Sequence, residues 1–330
     1  MPAHKVFPWF IHSLAANLST ACPAGCTHCL WKARQERIAL HHTVMTQSQM
    51  QRLVAFGKSF GIKEVVASGG EPFSRPEALQ TLSVLCSRNL MGLHAITSAI
   101  WADTPQTART MLEKTGPWSR LAVSIDDFHQ ESIPLKNCLH VLDASTAMGI
   151  PVTIASIDGA DDVIQELPDK TRNEVPIVSQ PLMGTRFMQW DELDAPCINM
   201  SVPYCEEGDA IYGCCGDLCE MRNESPLFFG RTDELPQKGI AEDRIRLVKY
   251  LRLFGPVSLY RELTGEIPDG TSPFTSQCAL CTSIFTLPQA SEKTTRFLNR
   301  EQTLARLALA EAVLFSNTRE QVSALNLKPS

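Results

Sequence analysis

Short apolar runs rich in β-branched residues recur through the first half of the chain, separated by longer stretches with the mixed apolar and polar pattern of amphipathic helices. Runs of the first kind read as strands and those of the second as helices. Strands are expected at Phe10–Leu18, Glu64–Ser68, Gly92–Thr97, Arg120–Ile125, Pro151–Ser156 and Val175–Ser179. Helices are expected at Gln47–Gly57, Pro76–Arg88, Pro105–Lys114 and Leu135–Met148. Gly57, Gly61, Gly92, Gly116 and Gly149 stand where helices should stop and turns begin.

Strand and helix in alternation predict an α/β fold, with repeated βα units around a parallel sheet. Six such units suggest a barrel that is not fully closed. After Arg186 the alternation gives way to a segment dense in cysteine, glycine and proline. Ser291–Leu327 then reads as helical, carrying Leu298, Leu304, Leu307, Leu309, Val313 and Leu314 among charged residues, and is expected to pack as a terminal helix. The chain thus divides into residues 1–190, 191–290 and 291–330.

At 330 residues and 44% hydrophobic content, the chain is large enough for an α/β domain and a further module. Its net charge of −6 argues against nucleic acid or an anionic membrane as the main partner. No apolar run is long enough to span a bilayer and no secretory signal pattern opens the chain, so a cytoplasmic location is expected. In that compartment the twelve cysteines read better as metal or redox ligands than as disulfides.

Three of them, Cys22, Cys26 and Cys29, are spaced C-x3-C-x2-C. Three thiolates at this spacing can converge on one iron–sulfur cluster and leave a fourth iron without a protein ligand. A zinc site or three buried thiols is the plainer alternative, although structural zinc favours C-x2-C pairs and four closed ligands. Downstream, the apolar run Val65–Ser68 enters the turn Gly69-Gly70-Glu71-Pro72. The two motifs, in this order, resemble the radical S-adenosylmethionine (SAM) superfamily, apart from His28, which stands where that family usually has an aromatic residue.

The resemblance implies a partial (β/α)6 TIM-like barrel, a [4Fe–4S] cluster on Cys22, Cys26 and Cys29, and SAM across the carboxyl ends of the strands. Reductive cleavage of SAM would give a 5′-deoxyadenosyl radical that abstracts hydrogen from substrate, with the electron drawn from a reductant such as flavodoxin or ferredoxin. By the same resemblance, the Gly69–Gly70 turn and Glu71 meet SAM. His28 could pack beside its adenine, and Ser98 and Ser156, at or just past strand ends, could contact its nucleoside. Ser124 and Asp126 alternate at the end of the fourth strand, where period two would point both at the barrel mouth and the ribose hydroxyls, with an ordinary strand residue as the alternative for Ser124. Arg186 matches a G-x-R element and could pair with the carboxylate of SAM or substrate, against a surface salt bridge. Asp126, Asp127 and His129 form a polar cluster suited to proton transfer, since imidazole titrates near neutrality. Ordinary loop and helix-cap roles are the alternative for them.

Cys197, Cys214, Cys215, Cys278 and Cys281 resemble the ligand set of the SPASM or twitch module behind many such barrels, with Gly208–Gly216 as its hairpin. No cysteine follows Cys281. One auxiliary [4Fe–4S] cluster is therefore expected on Cys197, Cys278, Cys281 and either Cys214 or Cys215, with zinc as the rival occupant. Cys205 and Cys219 could ligate a second partial cluster, or one could return a hydrogen atom to a substrate radical, with a buried, inert thiol as the plainer alternative. These readings lead to oxidation of a small molecule or peptide by dehydrogenation or crosslinking, against redox-neutral epimerisation or a non-catalytic metal or redox sensor.

Overall fold

The computed structural model describes residues 3–4, 8, 10–26, 29, 44–157, 159–160, 162–180, 187–197, 200, 203–206, 209–267 and 270–325. Its centre is a run of parallel strands: β1 (Ser13–Ser19), β2 (Glu64–Gly69), β3 (Gly92–Thr97), β4 (Arg120–Ser124), β5 (Val152–Ile157) and β6 (Ile177–Gln180). They pair side by side in chain order. α1 (Gln47–Ser59), α2 (Pro76–Arg88), α3 (Pro105–Thr115), α4 (Leu135–Ala147) and the short α5 (Asp169–Glu174) are the crossovers. The architecture is the expected TIM-like partial barrel.

Alternation sorts each strand into two faces. Leu14, Ala16, Leu18, Val65, Ala67, Leu93, Ala95 and Leu121 join one core with Met50, Leu53 and Phe56 of α1 and Leu79 and Leu82 of α2. Burial of each large apolar side chain contributes about 2 kcal/mol, so this helical layer is what holds the barrel. Ala15 and Val66, pointing the other way, meet Tyr204 and Tyr212 on the inner face. That inner face keeps apolar surface open: Ile96 is 37% exposed and Val178, in register with Ala155, is 50% exposed.

Strand boundaries depart from expectation by a few residues. β1 begins at Ser13 rather than Phe10, because Ile11 N closes a turn on Pro8 O just before it. α1 runs two residues past Gly57, which packs against Ile62, and stops at Phe60. Cys86 and Cys138, on α2 and α4, are buried core thiols.

The sheet does not end at β1. β7 (Tyr204–Glu206) lies parallel to it, and β8 (Ala210–Tyr212) and β9 (Phe228–Arg231) follow antiparallel, giving the order β9-β8-β7-β1-β2-β3-β4-β5-β6. Arg52 of α1 reaches across to Asp209 at the β7–β8 turn, 2.8 Å away. Helices α6 (Glu242–Thr264), α7 (Gln277–Thr286), α8 (Ala290–Leu298) and α9 (Glu301–Leu325) complete the described chain. The single terminal helix expected from the pattern is two, α8 and α9, separated where the Asn299 side chain turns back to Thr295 O. Leu298 and Leu307 are buried, whereas Leu309 and Val313 face outward.

Candidate functional site

The two short motifs are in direct contact. β1 and β2 run parallel, so their carboxyl ends open side by side, and the Gly69–Gly70 turn lands on the chain leading to Cys22. Gly70 N donates to Ser19 O at 2.7 Å and Glu71 N to Ala21 O at 2.9 Å. A Cβ on Gly69 would lie 1.9 Å from Asn17 Oδ1, and one on Gly70 would lie 2.3 Å from Ala21 O. Gly69 also has φ +115, a conformation that side chains resist. Both positions therefore need glycine to let the chain's own loop seat. Asn17, on the inner face of β1 and 8% exposed, has no hydrogen-bond partner for its Oδ1 among the described residues.

Glu71 is buried and fully occupied. Oε1 accepts from Phe73 N at 3.1 Å and Thr97 Oγ1 at 2.8 Å, while Oε2 accepts from Ser98 N at 2.8 Å and Ser98 Oγ at 2.7 Å. Burial pushes its carboxyl above the ordinary range, and the bonds from Ser98, Thr97 and Phe73 pull against that rise. The carboxylate thus ties the β2 exit to the β3 exit. The Glu71 and Ser98 side chains are bonded to each other, while the turn's backbone, which the resemblance sets against SAM, takes no part in these two bonds. Trp101 Nε1 donates to Thr97 Oγ1 at 2.9 Å, and Phe73 stacks on Trp101 with centroids 4.4 Å apart. The β3 exit is held from both sides.

At the β4 exit, Asp126 caps a short helix, Asp127–Gln130. Its Oδ1 accepts from His129 N at 3.0 Å and its Oδ2 lies 2.7 Å from His129 Nδ1. Asp126 is 1% exposed, while the His129 side chain keeps 17%. Asp127 points elsewhere, its Oδ1 accepting from Val163 N at 3.0 Å. It fastens the segment after β5 and stands apart from the Asp126–His129 pair. Ser124 sits on the inner face, in register with Ala155. Ser156 alternates to the same side as Ile154, which packs against α4, so its hydroxyl faces the helices and not the barrel mouth.

Cys26 is buried, Cys29 half-buried and Cys22 exposed. Burial pushes the Cys22 thiol up and the Cys26 thiol up to about 11, with the neighbouring cysteines adding to both. The Glu71 carboxylate helps to raise the Cys22 thiol and the Asp126 carboxylate the Cys26 thiol, so the cysteines share one mouth with the β2 and β4 exits. His28, Arg186, Gly208 and the Cys219 side chain lie outside the described residues.

A second cavity collects Cys197, Cys214, Cys278 and Cys281. Gly216 lets two of these thiols approach: a Cβ there would be 2.8 Å from Cys278 Sγ and 3.8 Å from Cys214 Sγ. Cys215, beside Cys214, is exposed. Among the described residues no three metal-ligating side chains meet at one point; the four thiols line a shared space. Cys205 is 0% exposed and belongs to the helical-side core with Ala16 and Ile211, back to back with inner-face Tyr204. That burial removes Cys205 from any path to a substrate in the barrel.

Residues 16–162 match the family model of the Radical SAM superfamily. This stretch is a radical SAM domain. Such a domain implies a [4Fe–4S] cluster and SAM. Over 94 residues the chain is 33% identical to the PqqA peptide cyclase of Gluconobacter oxydans (strain 621H), a match covering 28% of this chain and 25% of that protein. The chain therefore spans a quarter of the length of the curated relative it matches. Similar solved structures include BtrN in complex with AdoMet and 2-DOIA, with a TM-score of 0.45 at 9% identity over 75% of this chain and 89% of that one. Another is Streptococcus suis SuiB bound to S-adenosylmethionine, with a TM-score of 0.43 at 13% identity over 82% of this chain and 77% of that one. No helix among the described residues is long and apolar enough to cross a membrane.

Proposed function

We propose that the chain is a radical SAM enzyme that modifies a peptide, with Cys22, Cys26 and Cys29 holding the SAM-binding [4Fe–4S] cluster and Cys197, Cys214, Cys278 and Cys281 holding an auxiliary one. The observation that carries the reading is the seat of Gly69–Gly70 on Ser19–Ala21, which makes one unit of the thiol loop and the turn that follows β2. The donor set fits the groups: thiols suit iron–sulfur clusters, and the four downstream thiols surround one cavity that Gly216 keeps clear. When bound, the first cluster would supply one electron to SAM and so generate the hydrogen-abstracting species, and the auxiliary cluster would accept an electron from the substrate.

The chain's own residues then have definite tasks. Glu71 holds the β2 turn against β3, so the mouth keeps its shape without committing a free carboxylate to it. Asp126 holds the His129 imidazole by Nδ1 at the β4 exit, and we assign that imidazole the task of taking a proton from a substrate that loses a hydrogen atom and an electron. The open apolar surface of Ile96 and Val178 suits an amino-acid side chain better than a phosphorylated or sugar-like substrate, whose polar groups would lie there unpaired. The similarity to a peptide cyclase supports the same class. Oxidation is preferred to an epimerisation that uses Cys205 as its hydrogen donor, because that thiol is sealed in the core.

Anaerobic reconstitution tests this. The account expects about eight irons per chain, falling to about four in Cys278→Ala, with 5′-deoxyadenosine formed on reduction in the presence of SAM. Zinc at the downstream thiols, or no 5′-deoxyadenosine, would refute it.

A further inference from the structure

The downstream thiols come from segments far apart in the chain, and two residues outside the thiol set govern how those segments meet. α6 breaks at Gly255, φ 73, just before Pro256. An unbroken helix would use Gly255 N to satisfy Leu251 O; here Cys197 N donates to Leu251 O at 3.0 Å instead. A Cβ at position 255 would lie 2.1 Å from Ala195 O, so the segment carrying Cys197 runs through the gap the break opens. From the opposite side Gln277, next to Cys278, donates its Nε2 to Leu193 O at 2.9 Å and to Ala195 O at 2.8 Å. Ser276 caps the same helix, accepting from Ala279 N at 3.0 Å, which fixes Cys278 in its first turn.

We propose that Gly255 and Gln277 are positioning residues that hold Cys197 in ligating position against Cys214, Cys278 and Cys281. Their loss lowers the iron content of the downstream site, or leaves a three-iron cluster there, and spares the first cluster. The inference rests on the auxiliary-cluster reading and adds to it the residues that make a four-thiol site from otherwise separate parts. Gln277 acts as a hydrogen-bond donor and not as filler. Its Nε2 ties down two carbonyls of the segment that leads to Cys197: Ala195 O, and Leu193 O, which also accepts from Ala195 N at 2.9 Å.

The test uses the full chain in a Cys22→Ala, Cys26→Ala, Cys29→Ala background, where only the downstream site can hold iron. Anaerobic reconstitution should give about four irons per chain in this background. Cys197→Ala and Gly255→Ala should each reduce that content, either to about three irons with the EPR signal of a three-iron cluster or, where the cluster is lost, by more than about half. Gln277→Glu keeps the volume but turns both donations into repulsion between oxygens, whereas Gln277→Ala only removes them. A positioning role makes Gln277→Glu the more damaging of the two, and a space-filling role makes Gln277→Ala so. Should Gly255→Ala fail to fold, the Gln277 pair decides. Four irons retained in both Gln277 variants would overturn the inference alone; an iron-free background protein would overturn the auxiliary cluster and the inference with it.

Discussion

Glu71 and Ser98 are joined twice, the serine amide and hydroxyl both donating to the same carboxylate oxygen at 2.8 and 2.7 Å. The residue that the sequence motif offers as a ligand contact is thus the bracket between two strand exits. Glu71→Gln puts an amide nitrogen in front of one set of donors. The variant should lose about 2 kcal/mol of stability, read as a lower midpoint in anaerobic urea unfolding. An unchanged midpoint would contradict the bracket.

Gly70→Ala should act on the first cluster alone. Its Cβ meets Ala21 O at 2.3 Å, and the loop carrying Cys22 must move to admit it. Iron content should fall by about four per chain, with the downstream site still loaded. Equal loss from both sites would point to general unfolding and against the seat.

His129→Gln is expected to separate radical generation from product formation. The pair with Asp126 sits at the β4 exit and the Gly69–Gly70 seat at the exits of β1 and β2, so 5′-deoxyadenosine should still form. Substrate conversion should drop about 100-fold, the size of effect usual for a lost general base. Parallel loss of both activities would mean that His129 serves the mouth's structure only.

At the amino ends of the strands, burial and the nearby Arg120 guanidinium push His94 down to about 4, although Glu64 pulls the other way. Burial would raise Glu64, but the hydrogen bonds from Arg120 at 2.6 Å and Ser119 at 2.8 Å bring it below the ordinary range. The unfolded chain binds a proton on His94 below pH ~6.5 that the folded chain refuses until about 4, so stability falls as pH drops through this window and is flat above it. The loss is on the order of 3 kcal/mol from His94. His94→Gln should flatten the dependence of the unfolding midpoint between pH 6.5 and 4; an equally steep profile would contradict the assignment.

The barrel was legible because its strands are buried on the helical side and read as apolar runs, so Gly92–Thr97 and Pro76–Arg88 fall where the pattern puts them. Other features depend on pairing across the fold. Glu71 finds Thr97 and Ser98 only once β2 and β3 lie side by side. The face of Ser156 depends on the register with β4, and the burial of Cys205 on β7 joining the barrel sheet beside β1. α6 was hidden by Gly255-Pro256, a pair that reads as a breaker and does break the helix, while both halves stay helical around it. Gln277 carries no motif of its own, and its bonds to Leu193 O and Ala195 O exist only once α7 packs against that segment.

The most direct test of the central claim is product analysis of the wild-type chain, reconstituted with iron and sulfide, reduced anaerobically and supplied with SAM. The account predicts 5′-deoxyadenosine in the complete mixture and none from Cys26→Ala. The absence of 5′-deoxyadenosine from fully iron-loaded wild-type protein would contradict it.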